Sequence, residues 1–327
     1  ANRHRQGAMQ QDKTLQMNWE RSRRCYDQHV HNPIGRYKRM STLRQNAWLF
    51  TVLFILLASF FTQTAQAQQA DGFTKKSDIF YLDMPLDKAS ESQQSQNRLD
   101  VIYPTDTRGF ATIVWFHGGG LTGGKRHMPK VNPKHKFATV AVSYRLIPKG
   151  TYDNCLEDAA SAVAWTFKHI AELGGDPNRI FVSGHSAGGY LAAMVGLDKK
   201  WLAKHEIDAN QLAGIVPFSG QMTTHFRVRK ERGFTGNHPV LDEYAPLWHI
   251  RKDASPFLLI TGDRDMEFPG RTEENLLMNK MMQVVGHPNS TMYELQGYGH
   301  LMTAGGYPIL ERWVNQQLKA MNESKSQ

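Results

Sequence analysis

Short runs of apolar, often β-branched residues recur along the chain from about residue 79 onward. The candidate strands are Ile79–Leu82, Leu99–Tyr103, Ala111–Phe116, Thr139–Ser143, Ile180–Ser183, Ile215–Phe218, Phe257–Thr261 and Thr291–Leu295. Several of them are continuous apolar runs of about five residues, which is typical of strands buried on both faces of a parallel sheet. The pattern therefore predicts a mostly parallel sheet of about eight strands.

Stretches with helical spacing lie between these runs. Residues 153–173 place apolar side chains close to a 3.6-residue period, and further helices are predicted over about 187–197, about 271–285 and around 309–318. Strands that alternate with helices of this length predict an α/β fold. Residues 219–253 are polar and fit neither pattern, so we expect them to form a small cap above the sheet.

Residues 47–61 form an uncharged apolar run of 15 residues. This length is short for a membrane-spanning helix, which needs about 20 residues, and it is typical of the apolar part of a secretory signal peptide. Arg44 provides the positive flank and Ala65-Gln66-Ala67 the small-x-small cleavage site. We therefore expect export with a mature chain that begins at Gln68. The alternative is an uncleaved segment that anchors the protein in a membrane.

The segment ahead of this signal does not look like part of it. Met40 stands directly before the residues where a signal peptide would begin, so we hypothesise that residues 1–39 are a non-native upstream extension. The expected organisation is then an extension over 1–39, a signal peptide over 40–67 and one folded domain over 68–327.

The net charge of +9 would suit a nucleic-acid-binding protein, but its location argues against that class. Residues 1–39 carry nine Lys and Arg against three acids, whereas from Gln68 onward 29 basic residues face 27 acidic ones. We therefore expect no nucleic-acid partner. The two cysteines, Cys25 and Cys155, are too few for a disulfide framework or a cysteine-based zinc cage.

The motif Gly184-His185-Ser186-Ala187-Gly188 follows a predicted strand and precedes a predicted helix. Such a sharp turn needs glycines because side chains would clash, and it lifts the serine hydroxyl above the sheet edge. It also places the Ala187 N–H at a helix N-terminus, where this donor is unpaired and electropositive. The context predicts Ser186 as a nucleophile, and a glycine-rich turn without catalysis is the alternative interpretation of so short a motif.

A second glycine motif, His117-Gly118-Gly119-Gly120, follows another predicted strand. Consecutive glycines let the backbone approach a ligand closely and point N–H groups at it. Together with the Ala187 N–H, such donors would stabilise the oxyanion of an acyl-transfer intermediate, where one donor is worth about 10²–10³ in rate. We expect His117 itself to hold the loop.

The same region also matches most of a phosphate-binding P-loop, Gly119-x4-Gly124-Lys125. Arg126 stands where that motif needs Ser or Thr to coordinate magnesium. A nucleotide site therefore remains the weaker alternative.

A serine nucleophile needs a general base, and the base needs an orienting carboxylate. His300 follows the last predicted strand, on a loop at the same sheet edge as Ser186, so we predict it as the base. Three carboxylates follow the preceding strand: Asp263, Asp265 and Glu267. We favour Asp265, because Asp263 is expected to bond loop backbone and Glu267 to face solvent.

The remaining candidates for chemistry are weak. Asp158 lies on a predicted helix and is expected to anchor a loop or lie at the surface, and the other histidines of the mature chain show no metal-ligand spacing. We therefore predict that neither a metal nor an organic cofactor is needed.

Five short motifs follow one another along the chain. They are His117–Gly120, Ser143–Leu146, Gly184–Gly189, Gly262–Asp265 and Gly299-His300. Together they resemble the α/β-hydrolase superfamily, and in particular its carboxylesterase/lipase branch with BD-FAE-type (feruloyl and acetyl-xylan) and hormone-sensitive-lipase-like esterases. The resemblance covers about residues 78–320 and implies the α/β-hydrolase fold. The site residues that it implies are the triad Ser186, Asp265 and His300 and the oxyanion hole Gly118, Gly119 and Ala187.

Two departures narrow the resemblance. His185 stands where hormone-sensitive-lipase-like enzymes usually have Asp, which favours the feruloyl/acetyl esterases and the kynurenine-formamidase-like group. Gly120-Leu121 stands where those formamidases usually have an aromatic pair, which puts formamidase activity in doubt.

Together with the predicted signal peptide, the resemblance implies an exported serine hydrolase that cleaves small-molecule, carbohydrate-linked or other polymer-linked carboxylic esters through an acyl-enzyme, and the small cap favours short acyl chains. Two alternatives stay open. One is an amidase, peptidase or formamidase with the same triad, and the other is a non-enzymatic binding module on this fold.

Overall fold

A computed structural model describes residues 72–235 and 238–324 of the chain. The predicted upstream extension and signal peptide lie outside these described residues. Within the described ranges, no helix combines the length and the apolar character that crossing a membrane requires.

The strands of the described residues form one sheet. They are β1 (Phe73–Phe80), β2 (Arg98–Pro104), β3 (Phe110–Phe116), β4 (Ala138–Val142), β5 (Gly175–His185), β6 (Gly214–Phe218), β7 (Phe257–Gly262) and β8 (Ser290–Leu295). Their order across the sheet is β1-β2-β4-β3-β5-β6-β7-β8. Strand β2 pairs antiparallel with β1 and β4, and the other neighbours pair in parallel. This confirms the predicted mostly parallel sheet of about eight strands.

The helices of the described residues include four, beginning at Tyr152, Ala187, Arg271 and Thr303, that the apolar spacing predicted. The described helices are α1 (Glu91–Gln96), α2 (Tyr152–His169), α3 (Ala187–Leu197), α4 (Lys200–Ala203), α5 (Phe226–Glu231), α6 (Arg271–Val284) and α7 (Thr303–Ser324), with short 3₁₀ turns at Leu86–Lys88, Pro133–His135, Ala209–Gln211 and Pro246–His249. The predicted cap segment, 219–253, contains α5 and the last of these turns.

The sheet lies between two apolar layers. Strands β3, β4, β6 and β7 are buried along their whole length. One cluster joins them to α2, α3 and α6 through residues such as Leu156, Leu191 and Met278. The other joins β3, β5, β6 and β7 to α7 through Trp313 and Val314. Burial on both faces explains why these strands read as continuous apolar runs in the sequence.

The parallel half of the sheet brings several polar residues to one edge. Ser186 directly follows β5, Ser219 directly follows β6, Glu267 lies five residues after β7, and His300 lies five residues after β8. Because the carboxyl ends of parallel strands meet at one edge, four segments far apart in sequence converge there.

Candidate active site

The serine turn, residues 184–188, has the predicted strand–turn–helix context, with Ser186 between β5 and α3. Ser186 has φ 57° and ψ −115°, a conformation that L-residues rarely adopt, and its N–H donates to the Phe218 carbonyl at 2.8 Å. The neighbouring strand β6 therefore holds the strained residue in place, with its hydroxyl at the sheet edge.

The two glycines of the serine turn lie against backbone. A β-carbon on Gly184 would lie 2.6 Å from the carbonyl oxygen of Phe116, and one on Gly188 would lie 2.0 Å from the same atom. Neither distance leaves room for a side chain. The motif spacing thus reflects the close approach of the turn to β3.

His300 connects the serine to a carboxylate. Its Nε2 lies 2.9 Å from the Ser186 Oγ, and its Nδ1 lies 2.6 Å from the Oε1 of Glu267. The Glu267 side chain is completely buried. The structure therefore brings Ser186 and His300 together as the sequence predicted, and it supplies Glu267 as the carboxylate.

The expectation that Asp265 contacts His300 is wrong. Asp265 is exposed, and its backbone N–H donates to the Asp263 carboxylate at 3.1 Å. The N–H groups of Met266 and Glu267 both donate to the Asp263 carbonyl, so the chain turns helically here and directs residues 265 and 267 differently. The longer glutamate side chain reaches the imidazole from a position two residues further along.

Asp263 behaves as predicted, because its side chain accepts hydrogen bonds from the backbone N–H groups of Gly297 and Asp265 at 2.9 and 3.1 Å. The expectation that Glu267 faces solvent is wrong, because its side chain is completely buried. The number and type of the carboxylates could not reveal which of them the turn directs inward.

Burial raises the pKa of Glu267, but hydrogen bonds from His300, Ser219 and the Phe268 N–H outweigh burial and lower this pKa to about 2. The Ser219 hydroxyl donates to Oε2 at 2.6 Å and the Phe268 N–H donates to Oε1 at 2.8 Å. Glu267 therefore stays ionised across the range in which an imidazole titrates, and a protonated His300 would be stabilised by it.

Sequence analysis missed Ser219. It has φ 46°, and its N–H donates to the Ile260 carbonyl at 2.7 Å. Its hydroxyl also lies 3.1 Å from the Nδ1 of His300. The available signal was its position directly after β6, at the edge where the other site residues collect.

The glycine loop, residues 117–120, packs against the serine turn. A β-carbon on Gly118 would lie 3.3 Å from the Ser186 Cβ, and Gly119 and Gly120 have φ angles of 117° and 62°. Ala187 is the first residue of α3 and is buried. The structure thus brings Gly118 close to Ser186, and Ala187 directly follows Ser186 in the chain.

His117 holds the glycine loop. Its ring stacks on Tyr144 at 4.5 Å, its Nδ1 lies 2.6 Å from the Gly118 carbonyl oxygen, and the Tyr144 hydroxyl donates to the His117 carbonyl at 2.8 Å. Burial lowers the pKa of His117 to about 4. The ring is therefore neutral near pH 7 and can donate its Nδ1 proton to Gly118.

Two arginines in the sequence motifs, Arg126 and Arg145, form ion pairs with aspartates. Arg126, the residue that departs from the P-loop pattern, forms ion pairs with Asp78 and Asp100, each at 2.8 Å. Arg145 pairs with the buried Asp158 at 2.7 Å, and its N–H donates to the same carboxylate. Asp158 thus anchors the Ser143–Leu146 segment to α2.

His185 supports the loop that carries the base. Its Nε2 lies 2.7 Å from the His300 carbonyl oxygen, and burial lowers its pKa to about 4. The His185 and Phe268 rings lie 4.7 and 4.0 Å from the His300 ring. The imidazole of His300 therefore packs against two ring side chains.

Part of the cap segment approaches the glycine loop. A β-carbon on Gly120 would lie 3.1 Å from the Cζ of Phe226, the first residue of α5. Phe226 is 42% exposed, whereas Met222 is fully buried. Phe226 therefore borders the open side of the loop, and Met222 belongs to the core.

Comparison with known proteins finds one matching family model and relatives that are esterases. The model of the family described as BD-FAE matches residues 99–281. Among curated proteins, the probable carboxylic ester hydrolase LipM of Mycobacterium tuberculosis is 30% identical over 187 residues, which cover 50% of this chain and 43% of LipM. Esterase LipC of the same organism is 26% identical over 216 residues, which cover 61% of this chain and 52% of LipC. The chain spans about half the length of these curated relatives.

Among solved structures, a butyrate-bound esterase 2 of Thermogutta terrifontis is similar, with a TM-score of 0.55 and 22% identity over 67% of this chain and 88% of that protein. At this identity the likeness establishes a shared fold. That fold is the α/β-hydrolase fold, in agreement with the strand order and with the serine turn after β5.

Proposed function

Since the chain belongs to the BD-FAE family of α/β hydrolases, we propose that it is a serine hydrolase that cleaves carboxylic esters. The observation that carries the proposal is the relay from the Ser186 hydroxyl through His300 to Glu267, with contacts of 2.9 and 2.6 Å. A nucleophile, a base and an orienting carboxylate in this geometry are what acyl transfer through a serine requires.

In the proposed mechanism, Ser186 attacks the ester carbonyl while the Nε2 of His300 takes the hydroxyl proton. Glu267 holds the imidazole by its Nδ1–H and stabilises the imidazolium that forms. His300 then gives its proton to the departing alcohol, and an acyl-enzyme remains. A water that His300 deprotonates attacks the acyl carbonyl, and the carboxylic acid is released as Ser186 regains its proton.

The N–H groups of Gly118, Gly119 and Ala187 are the proposed donors to the oxyanion. The proposal is supported by the packing of Gly118 against the serine and by the position of Ala187 at the start of α3, where the helix leaves N–H groups without intrahelical partners. Donors placed in advance act on the negative charge only as it develops, which lowers the barrier without reorganisation.

The proposed substrates are esters with short acyl groups or esters attached to carbohydrate. The support is the small amount of chain above the sheet edge, since the described part of the cap adds only α5 and one 3₁₀ turn. Phe226 borders the glycine loop and is 42% exposed, which supports an approach to the serine that admits an ester on a bulky or polymeric alcohol.

Export is a further part of the proposal, with cleavage after Ala67 and Gln68 as the first residue of the mature protein. It rests on the apolar run 47–61 and the small-x-small site in the sequence. N-terminal sequencing of the protein from its natural host tests this, and a mature protein that retains residues 1–39 would rule it out.

The proposed activity is tested with 4-nitrophenyl esters of graded acyl length and with a fluorophosphonate probe. Wild type should hydrolyse the short esters and become labelled. Ser186→Ala should lose about 10⁴-fold or more in kcat and should not be labelled. The control is Ser161→Ala, which should match wild type. It removes a hydroxyl that donates to the Glu157 carbonyl within α2 and lies 3.3 Å from the Nε2 of His205. A folded wild type that is inert toward every ester, or a labelled Ser186→Ala, would overturn the proposal.

A further inference from the structure

Two arginines in elements around the proposed active site are buried without a carboxylate partner among the described residues. Arg229 in α5 and Arg271 at the start of α6 are each 6% exposed. Within the described residues, neither guanidinium has a carboxylate oxygen within 4.0 Å, whereas Arg145 pairs with Asp158 and Arg227 pairs with Glu231. A buried cation is unfavourable unless an anion compensates it, so this pair of arginines needs an explanation.

The nearest acids already have partners. Glu267 accepts hydrogen bonds from His300, Ser219 and the Phe268 N–H, as described above. Glu274 accepts bonds from the N–H groups of Met222 and Thr223 at 2.8 and 3.2 Å, and from the Thr223 hydroxyl at 2.9 Å. Both carboxylates therefore serve the backbone and the relay, and neither binds a guanidinium directly.

Arg271 borders the side of the site that carries the base. Its Nη1 donates to the carbonyl of Ser219, and its guanidinium carbon lies 5.9 Å from the centre of the Phe268 ring. That ring in turn lies 4.0 Å from the ring of His300. Arg271 is therefore separated from the proposed base by a single aromatic side chain.

Arg229 lies in α5, the helix whose first residue approaches the glycine loop. It lies one helical turn after Phe226, whose ring lies against Gly120. One guanidinium nitrogen donates to the His238 carbonyl, while the buried Nε has no hydrogen-bond partner. The Nε of Arg227 is also unpartnered, but its Nη2 is paired with Glu231 at 2.8 Å. An unpartnered buried N–H on a cation that lacks such a carboxylate is the feature that a bound anion would satisfy.

The electrostatics of the two arginines agree with this geometry. Burial lowers the pKa of both guanidinium groups and outweighs the opposing charge of Glu274, and of Glu267 for Arg271; the charge of Arg229 lowers the pKa of Arg271 further. His225 lies on the same side, and burial together with these two arginines lowers its pKa well below the usual value. His225 is therefore neutral, and the positive charge of the cluster belongs to the two arginines.

We propose that Arg229 and Arg271 form an anion subsite beside Ser186, which binds a carboxylate carried by the ester substrate. Arginine suits this task because its planar donors match a carboxylate in two-point hydrogen bonding. This inference rests on the proposed ester hydrolysis and adds its substrate class, namely esters with one free carboxylate. The carboxylate can belong to the acyl part or to the alcohol part of the substrate.

Two matched substrate pairs distinguish these sources. Monoethyl adipate against diethyl adipate places the carboxylate in the acyl part, and 4-acetoxybenzoate against its methyl ester places it in the alcohol part. In at least one pair, the ratio of kcat/KM for the anionic over the neutral ester should be about 10- to 100-fold higher in wild type than in Arg229→Gln. Arg227→Gln should keep the wild-type ratio, because its charge is already paired with Glu231. Equal ratios for wild type and Arg229→Gln in both pairs would overturn the subsite.

A binding experiment separates failure of the subsite from failure of the proposed hydrolysis. Ser186→Ala should bind 4-acetoxybenzoate or monoethyl adipate at least about tenfold more tightly than the corresponding neutral ester in a calorimeter, and adding Arg229→Gln should abolish the difference. Arg271→Lys, which retains the charge and loses the planar fork, should give an intermediate preference. Equal binding of the anionic and neutral esters would overturn the subsite whether or not wild type hydrolyses esters, and inertness of wild type toward both the anionic and the neutral esters would count against the hydrolysis alone.

Discussion

At the scale of single residues, the site depends on which carboxylate reaches His300. Glu267 has one methylene more than Asp265 and lies at a position that the turn after β7 directs into the protein. Three hydrogen bonds and complete burial fix its carboxylate, so the imidazole is held in a single orientation. Glutamate can therefore do here what aspartate does in the motif that the sequence resembles.

A pair of amide substitutions tests this assignment. Glu267→Gln keeps the shape of the side chain but removes the charge that would stabilise the His300 imidazolium, so kcat should fall by about 10⁴-fold. Asp265→Asn should stay within about twofold of wild type, because Asp265 is exposed and its own N–H contacts only Asp263. The measurement is kcat on 4-nitrophenyl butyrate, with circular dichroism to confirm folding. The reverse order of effects would show that Asp265 is the acid.

At the scale of elements, the serine turn depends on close packing between backbones. Gly188 lies in α3, where alanine is favoured over glycine by about 1 kcal/mol through helix propensity alone. A β-carbon there would nevertheless lie 2.0 Å from the Phe116 carbonyl oxygen, and the strand that carries this atom is buried along its length. The contact outweighs the propensity, which is why a helix with good alanine positions keeps a glycine at this one.

Gly188→Ala should therefore lower the free energy of unfolding by more than about 3 kcal/mol. Gly123→Ala is the matched control, because the nearest atom to its β-carbon would be 3.9 Å away, an ordinary contact. Its free energy of unfolding should change by less than about 1 kcal/mol. Urea unfolding followed by far-ultraviolet circular dichroism measures both. A Gly188→Ala protein as stable as wild type would mean that the turn and β3 can separate at little expense.

The strands and helices could be predicted where their burial requires apolar residues. All eight strands were expected, because the central ones are apolar on both faces. Strand β1 begins at Phe73, six residues before the predicted start, since it is an edge strand whose middle includes the exposed Lys76. Helix α1 has no apolar period and begins instead with a capping box between Ser90 and Gln93.

The site could be predicted to the extent that chain order and strand ends determine it. Ser186 and His300 follow strands of the parallel half, so their meeting follows from the topology alone. The choice of Glu267, the hydroxyl of Ser219 and the buried Arg271 depend on how loops turn after the strands. Such turns are set by many weak contacts at once, and no single residue type in the sequence marks them.

At the scale of the molecule, strands and helices from distant parts of the sequence share two apolar clusters across one sheet. Strands β2, β3 and β4 lie in the first half of the described residues. Helix α7 is the last described element, and it covers one face of the sheet. Trp313 of α7 packs on β5 and β6, where its ring meets Phe181 at 6.1 Å and occupies the space that a β-carbon on Gly214 would need. Loss of this contact should weaken the whole sheet, because no layer is stable alone.

Trp313→Ala should therefore lower the free energy of unfolding by about 3–5 kcal/mol, as for other large residues removed from a core. It should leave kcat at 25 °C close to wild type, because Trp313 lies ten residues into α7, about 15 Å along the helix from its start near His300. Trp248→Ala is the control, since Trp248 is 60% exposed and its loss should change stability by less than about 1 kcal/mol. Urea unfolding and the 4-nitrophenyl butyrate assay provide the two readouts. If Trp313→Ala were as stable as Trp248→Ala, α7 would not be a structural layer that the sheet depends on.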